Sequence, residues 1–265
     1  MPASLRTAVT TARSLVYALA FYVVTALFLL LASPLLLAPR RSAMVALKLH
    51  GLTCVWLLRV IAGTRMEVRG RANLPEGACI VAAKHQSAWD TFALIPLLRD
   101  PAVVLKAELT HIPLYGWFCT KFEHIAVTRD RAAVALKAML ATSRERAAQG
   151  REILIFPEGT RSPPGAPPEY KAGIVALYEA LALPCVPVAL NSGLFWPRRS
   201  MMRYPGTIVV EVLEPIPPGL DRRAFRAELE RRIEGACTRL IAEAAAGPSP
   251  PPVPELASKT PTDAK

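Results

Sequence analysis

Residues 79–98 read CIVAAKHQSAWDTFALIPLL. The run from Cys79 to Ala83 is short, small and branched, which is the composition of a buried strand. Lys84 to Asp90 breaks it with a polar loop, and Thr91 to Leu98 returns to apolar residues at helical spacing. Strand, loop and helix in that order form the repeating unit of an α/β fold, and the loop at the strand's end is where such folds place their chemistry. His85 and Asp90 lie in this loop, close enough to meet. A carboxylate there can fix the imidazole tautomer while the other ring nitrogen takes a proton. The same residues are also compatible with a plain helix-cap aspartate beside a structural histidine.

Further branched apolar runs at Val103–Leu105, Ile125–Val127, Ile153–Phe156, Cys185–Leu190 and Thr207–Val212 read as strands. Helical stretches fall between several of them, at Arg131–Gln149 with Asp130 as N-cap and Gly150 as stop, and at Ala172–Leu183. A charged helix from about Asp221 to Ala246 closes the pattern and is expected to cover the outside of the sheet. The fold class is therefore α/β, a mixed and mostly buried β-sheet flanked by helices.

Residues 153–162, ILIFPEGTRS, form a second chemical segment. Proline and glycine end the strand and let the backbone approach a ligand closely. Arg161 then presents a planar fork suited to a phosphate monoester. An ordinary polar turn with a surface ion pair is the plainer reading.

Together, His85 with Asp90 five residues beyond it and the later Phe156-Pro157-Glu158-Gly159-Thr160-Arg161-Ser162 resemble the lysophosphatidic acid (1-acylglycerol-3-phosphate) acyltransferase family. Two more segments match it in order: Lys106-Ala107-Glu108-Leu109 with Pro113, Gly116 and Arg129, and Val186-Pro187-Val188-Ala189-Leu190 preceded by Lys171 and Gly173. Two positions depart from the family pattern. Lys84 stands where asparagine is common, and no glycine precedes Val127-Thr128-Arg129. The resemblance spans about residues 68–215. It implies an acyltransferase in which His85 is the general base and Asp90 orients and stabilises its imidazolium. Glu158, Gly159, Thr160 and Arg161, with Lys106 as a further cation, would then bind the acceptor. It implies no metal and no resident cofactor; acyl-CoA or acyl carrier protein supplies the thioester. The absence of a G-x-S-x-G elbow agrees with direct attack and no enzyme nucleophile.

Charge and hydropathy point to where this chemistry occurs. The chain has 32 Lys and Arg against 21 Asp and Glu, and seven of the cations, Arg6, Arg13, Arg40, Arg41, Lys48, Arg59 and Arg65, fall in a 66-residue opening stretch without an acidic residue. Basic charge within the most apolar part of a chain suits a membrane surface better than nucleic acid, for which no motif is present. Leu15–Leu37 is uncharged and long enough for a span of about 20 residues, longer than a signal-peptide core. In the following stretch to Gly63, Lys48 and Arg59 fall on the same side as Arg41 at 100° per residue, the pattern of a helix lying in the interface. Residues 1–63 are thus expected to anchor the protein as a helix pair and 64–246 to form the catalytic domain. The Pro-rich segment 247–265 reads as a disordered tail. Cations after the first helix favour a cytoplasmic catalytic domain, at the inner membrane in a bacterium. Five scattered cysteines suggest neither disulfides nor zinc. Rival readings are an acyltransferase for another lysolipid such as a lyso-ornithine lipid, a membrane phospholipase, and a non-catalytic membrane protein.

Overall fold

The computed structural model describes residues 3–128, 132–247 and 250–252. Arg129, Asp130 and Arg131 lie outside them, as does most of the expected tail.

Helix α1 (Ala3–Leu31) and helix α2 (Arg40–Leu57) run antiparallel, joined by a short 3-10 turn at Ser33–Leu36 that contains Pro34. A single π turn, Leu58–Ala62, prolongs α2 to Gly63. Strands β1 (Thr64–Arg69), β2 (Ile80–Ala83), β3 (Ala102–Lys106), β4 (Ile125–Val127), β5 (Ile153–Ile155), β6 (Cys185–Leu190) and β7 (Gly206–Val212) form one seven-stranded sheet. Its order is β1-β7-β6-β2-β5-β3-β4. All neighbours are parallel except β6 and β7. Between the strands lie α3 (Asp90–Ala93), α4 (Tyr115–Lys121), α5 (Ala132–Ala148), α6 (Ala172–Leu181) and α7 (Ser192–Phe195), and α8 (Arg222–Ala245) follows β7.

The expected α/β class and mixed sheet hold, and six strands fall within a residue or two of their expected positions. Strand β1 was not foreseen. It sits at the sheet edge, where Arg65 and Glu67 face solvent and dilute the apolar signal. Helix α4 was also missed, and the helix expected over Thr91–Leu98 is one α turn followed by a 3-10 turn at Ile95–Leu97, because Pro96 removes a donor.

Side chains alternate along the strands between two cores. Val81, Ala83, Leu154, Val186 and Val188 face one core, shared with Tyr17, Cys54 and Leu58 of the helix pair. Ile80, Ala82, Ile153, Ile155 and Cys185 face the other, filled by Tyr178, Phe225, Leu229 and Ile233 of α6 and α8. The helix pair is consequently built into the domain rather than tethered to it. A Cβ at Gly51 would lie 2.6 Å from the Phe92 carbonyl, so only glycine lets α2 come this near α3. Arg40 grips Asp100 with both terminal nitrogens at 2.5 and 2.8 Å.

The other side of the pair is open. Leu15, Val16, Leu19, Tyr22, Leu27 and Leu30 of α1 and Val45, Leu49, Leu52 and Trp56 of α2 are exposed. Both helices are long and apolar enough to cross a membrane. The expected cationic stripe is only partly free, because Lys48 donates to the Arg99 carbonyl at 2.7 Å; Arg41 and Arg59 remain exposed.

Candidate active site

Strands β2, β5, β3, β4 and β6 are parallel, so the loops that follow them converge on one rim of the sheet. Residue for residue, this brings the sequence segments together. Lys84 and His85 follow β2, the turn 156–162 follows the adjacent β5, and Asn191 and Ser192 follow β6 on the other side. Lys106 ends β3. Ile153 pairs with both Ile80 and Ala102. Lys84 and Lys106 therefore lie at one level, two strand spacings or about 10 Å apart.

His85 Nδ1 donates to Asp90 Oδ2 at 3.0 Å, which assigns the Nδ1 proton, since a carboxylate only accepts. The same oxygen accepts from the amides of Gln86 and Ser87, each at 2.8 Å. Asp90 Oδ1 accepts from the Ser192 hydroxyl at 2.6 Å. Asp90 is wholly buried, yet its two oxygens hold four donors. It does not cap α3, whose first turn has no side-chain cap. Its contacts point backward into the loop and to α7, which disposes of the helix-cap reading. The His85 ring stacks on Phe156 at 4.1 Å between centroids. Its side chain keeps 13% exposure, leaving Nε2 as the nitrogen available to a ligand.

The turn after β5 is tied to the histidine loop by the Ser162 amide, which donates to the His85 carbonyl at 2.8 Å. Gly159 adopts φ 63°, a left-handed conformation that a side chain would strain. Gly159 and Thr160 are exposed and, with Glu158 and Lys171, line an open pocket of about 440 Å³. Arg161 is half-buried, and its carbonyl accepts from Arg198 at 2.7 Å. Glu158, expected among the acceptor-binding residues, turns inward. It is 1% exposed, and its Oε1 takes Lys84 Nζ at 2.9 Å. Lys84 also reaches Glu234 of α8 at 2.8 and 3.0 Å. Burial alone would depress the Lys84 ammonium, but Glu158 and Glu234 together hold it above its usual range. Lys106 is exposed. Sequence reasoning missed Ser192, Glu234, Phe156 as the ring beneath His85, and Arg198. Only Ser192 carried a signal, its place just beyond the apolar run Cys185–Leu190. The cysteines are all buried and free, and burial pushes Cys119 up to about 11.

A family model described as Acyltransferase matches residues 65–191, the segment that holds the histidine loop and the Glu158 turn. A 1-acyl-sn-glycerol-3-phosphate acyltransferase of Pseudomonas aeruginosa is 41% identical over 191 residues, covering 71% of this chain and 74% of that protein. The chain belongs to the acyltransferase family. Among more distant members, the beta 1-acyl-sn-glycerol-3-phosphate acyltransferase of Homo sapiens is 30% identical over 158 residues. That match covers 58% of this chain and 57% of the human acyltransferase, so the chain spans little more than half of that relative. The crystal structure of the 1-acyl-sn-glycerophosphate acyltransferase PlsC from Thermotoga maritima superposes with a TM-score of 0.73 at 23% identity. It covers 87% of this chain and 97% of that acyltransferase, a likeness of fold.

Proposed function

We propose that this acyltransferase moves a fatty acyl group from an acyl thioester to the free hydroxyl of a 1-acylglycerol 3-phosphate, making phosphatidic acid. The observation that carries the reading is the His85 ring, held by Asp90 through Nδ1 with no hydrogen bond on Nε2 among the described residues, beside a turn that carries Arg161. The substrate class is the one for which these relatives are named.

In this reading His85 Nε2 takes the proton of the acceptor hydroxyl, and the oxygen attacks the thioester carbonyl. Asp90 stabilises the imidazolium. The tetrahedral intermediate collapses, the C–S bond breaks, and the thiolate receives the proton from His85. Such general base catalysis is worth about 10²–10⁴-fold, with positioning of the two substrates supplying much of the rest. Arg161, with Gly159, Thr160 and Lys106 around it, binds the acceptor's phosphate end. Glu158 serves the turn from inside. The thioester, of coenzyme A or acyl carrier protein, is a co-substrate, and the scheme uses no metal or resident cofactor.

Membrane residence follows from the apolar outer side of α1 and α2. The acceptor and product are lipids, and the helix pair holds the site at the bilayer surface, with the catalytic domain on the cytoplasmic side.

The test is purified protein assayed against lysolipids of different head group with both donors, the products resolved by mass. Thioester-dependent phosphatidic acid is the expected product. Preference for a lysolipid lacking a phosphate monoester would replace this acceptor with another, and thioester-independent fatty acid release would turn the reading into a phospholipase.

A further inference from the structure

The alternation that sends Val81 and Ala83 to one core and Ile80 and Ala82 to the other continues past the end of β2. His85 stacks on Phe156, whereas Lys84 enters the opposite side, toward α6 and α8. Lys84 is 2% exposed, and its three protons have three acceptors: Glu158 Oε1 at 2.9 Å, Glu234 Oε1 at 2.8 Å and Glu234 Oε2 at 3.0 Å. The Tyr170 hydroxyl adds a fourth member, donating to Glu234 Oε1 at 2.9 Å. Two carboxylates and one ammonium leave a net negative charge, and Glu158 Oε2 is buried without a partner among the described residues. A buried pair is expensive to assemble, and removing one partner strands the other's charge away from water.

These four residues come from four parts of the chain. Lys84 immediately precedes the base, Glu158 belongs to the acceptor turn, Tyr170 precedes α6 and Glu234 lies within α8. Apart from the network, the bonds described for the turn are three main-chain ones, Gly159 to the Phe156 carbonyl, Ser162 to the His85 carbonyl and the Lys171 amide to the Pro157 carbonyl, and one from the Arg198 guanidinium to the Arg161 carbonyl.

We propose that Lys84, Glu234 and Tyr170 are positioning residues that pin the acceptor turn through Glu158, setting where Arg161 stands relative to His85. This rests on the reading of 158–161 as the acceptor-binding turn. The strut acts on substrate only through that turn. Its loss therefore weakens acceptor binding more than it slows the step at His85, and leaves the thioester's KM largely alone. A purely structural salt bridge would lower thermal stability without choosing between the two substrates.

The experiment uses the full chain and three variants: Tyr170→Phe, Lys84→Met, and Lys84→Met with Glu158→Gln and Glu234→Gln, which removes the charges together. Tyr170→Phe is the mild variant that keeps the test decisive if Lys84→Met does not fold. Amide hydrogen exchange at Gly159 and Ser162 and separate KM values for acceptor and donor are measured. The expected result is exchange at least tenfold faster at those amides with β2 and β5 amides unchanged, and an acceptor KM raised about tenfold against a donor KM within twofold. Combining Lys84→Met with Arg161→Lys should give less than the product of the single effects on acceptor KM. Unchanged exchange at Gly159 and Ser162, even beside a lowered melting temperature, overturns the proposal. Exchange reads the turn without any substrate. Faster exchange with no change for lysophosphatidic acid therefore indicts the acceptor assignment, not the strut.

Discussion

The Ser192 hydroxyl donates to Asp90 Oδ1 at 2.6 Å although 102 residues separate the two in sequence. Both side chains are fully buried. Three donors on Oδ2 come from the histidine loop itself, so Ser192 is the contact that orients the carboxylate from a second element.

Ser192→Ala should lower kcat about tenfold or more. It removes a hydrogen bond to a buried carboxylate, worth about 1.5–3 kcal/mol, and lets Asp90 turn away from Nδ1. Steady-state kinetics beside thermal unfolding check this; full turnover in a folded variant rejects the role.

His85→Ala should abolish acyl transfer in a protein that still folds. Asp90→Asn should be severely impaired, and the double variant scarcely worse than His85→Ala, because residues acting as one unit are non-additive. Additive losses, read as rates of thioester-dependent product formation, would separate the two residues.

Arg161→Lys keeps the charge and loses the two-pronged geometry, so the acceptor KM should rise by about tenfold with a smaller change in kcat. An unchanged KM would return Arg161 to a structural part, its carbonyl already serving as Arg198's acceptor.

Stability should fall as pH drops below about 6.5, in part through His124. Tight packing, with Arg151 and Arg40 nearby, pushes this ring down to about 3 from the usual 6.5. Its Nδ1 accepts from the Val103 amide at 3.2 Å. Above 6.5 neither state is protonated there; between 6.5 and about 3 the unfolded chain binds the proton and the folded one does not, so unfolding is favoured as pH falls. His124→Gln should flatten the slope of unfolding free energy against pH in that window, as denaturant titrations at a series of pH values would show.

Deleting the helix pair is a poor test of anchoring, because Tyr17, Cys54 and Leu58 belong to the main core. Placing charge on the exposed side is cleaner. Leu19, Leu49 and Trp56 are 68%, 58% and 58% exposed, and glutamate at all three should release folded protein from vesicles in a flotation assay. Retention in the lipid fraction counts against lipid contact there.

The sequence by itself determined the strand order along the chain, the apolar helix pair and the local pairing of His85 with Asp90. All of these are short-range: periodicity within a segment, turn residues at its ends, and two side chains five positions apart. It did not determine β1, whose charged alternation resembles a loop until β7 is beside it. Nor did it fix the direction of Glu158, which looks solvent-facing in the motif and is buried because Lys84 and α8 lie behind it. Ser192 on Asp90 and Glu234 on Lys84 depend on β6 lying next to β2 and α8 packing across them. A hydroxyl and a carboxylate that distant in sequence carry no local mark of their partners. Only assembly of the sheet, which gathers the ends of its parallel strands at one rim, decides which of many polar residues meet.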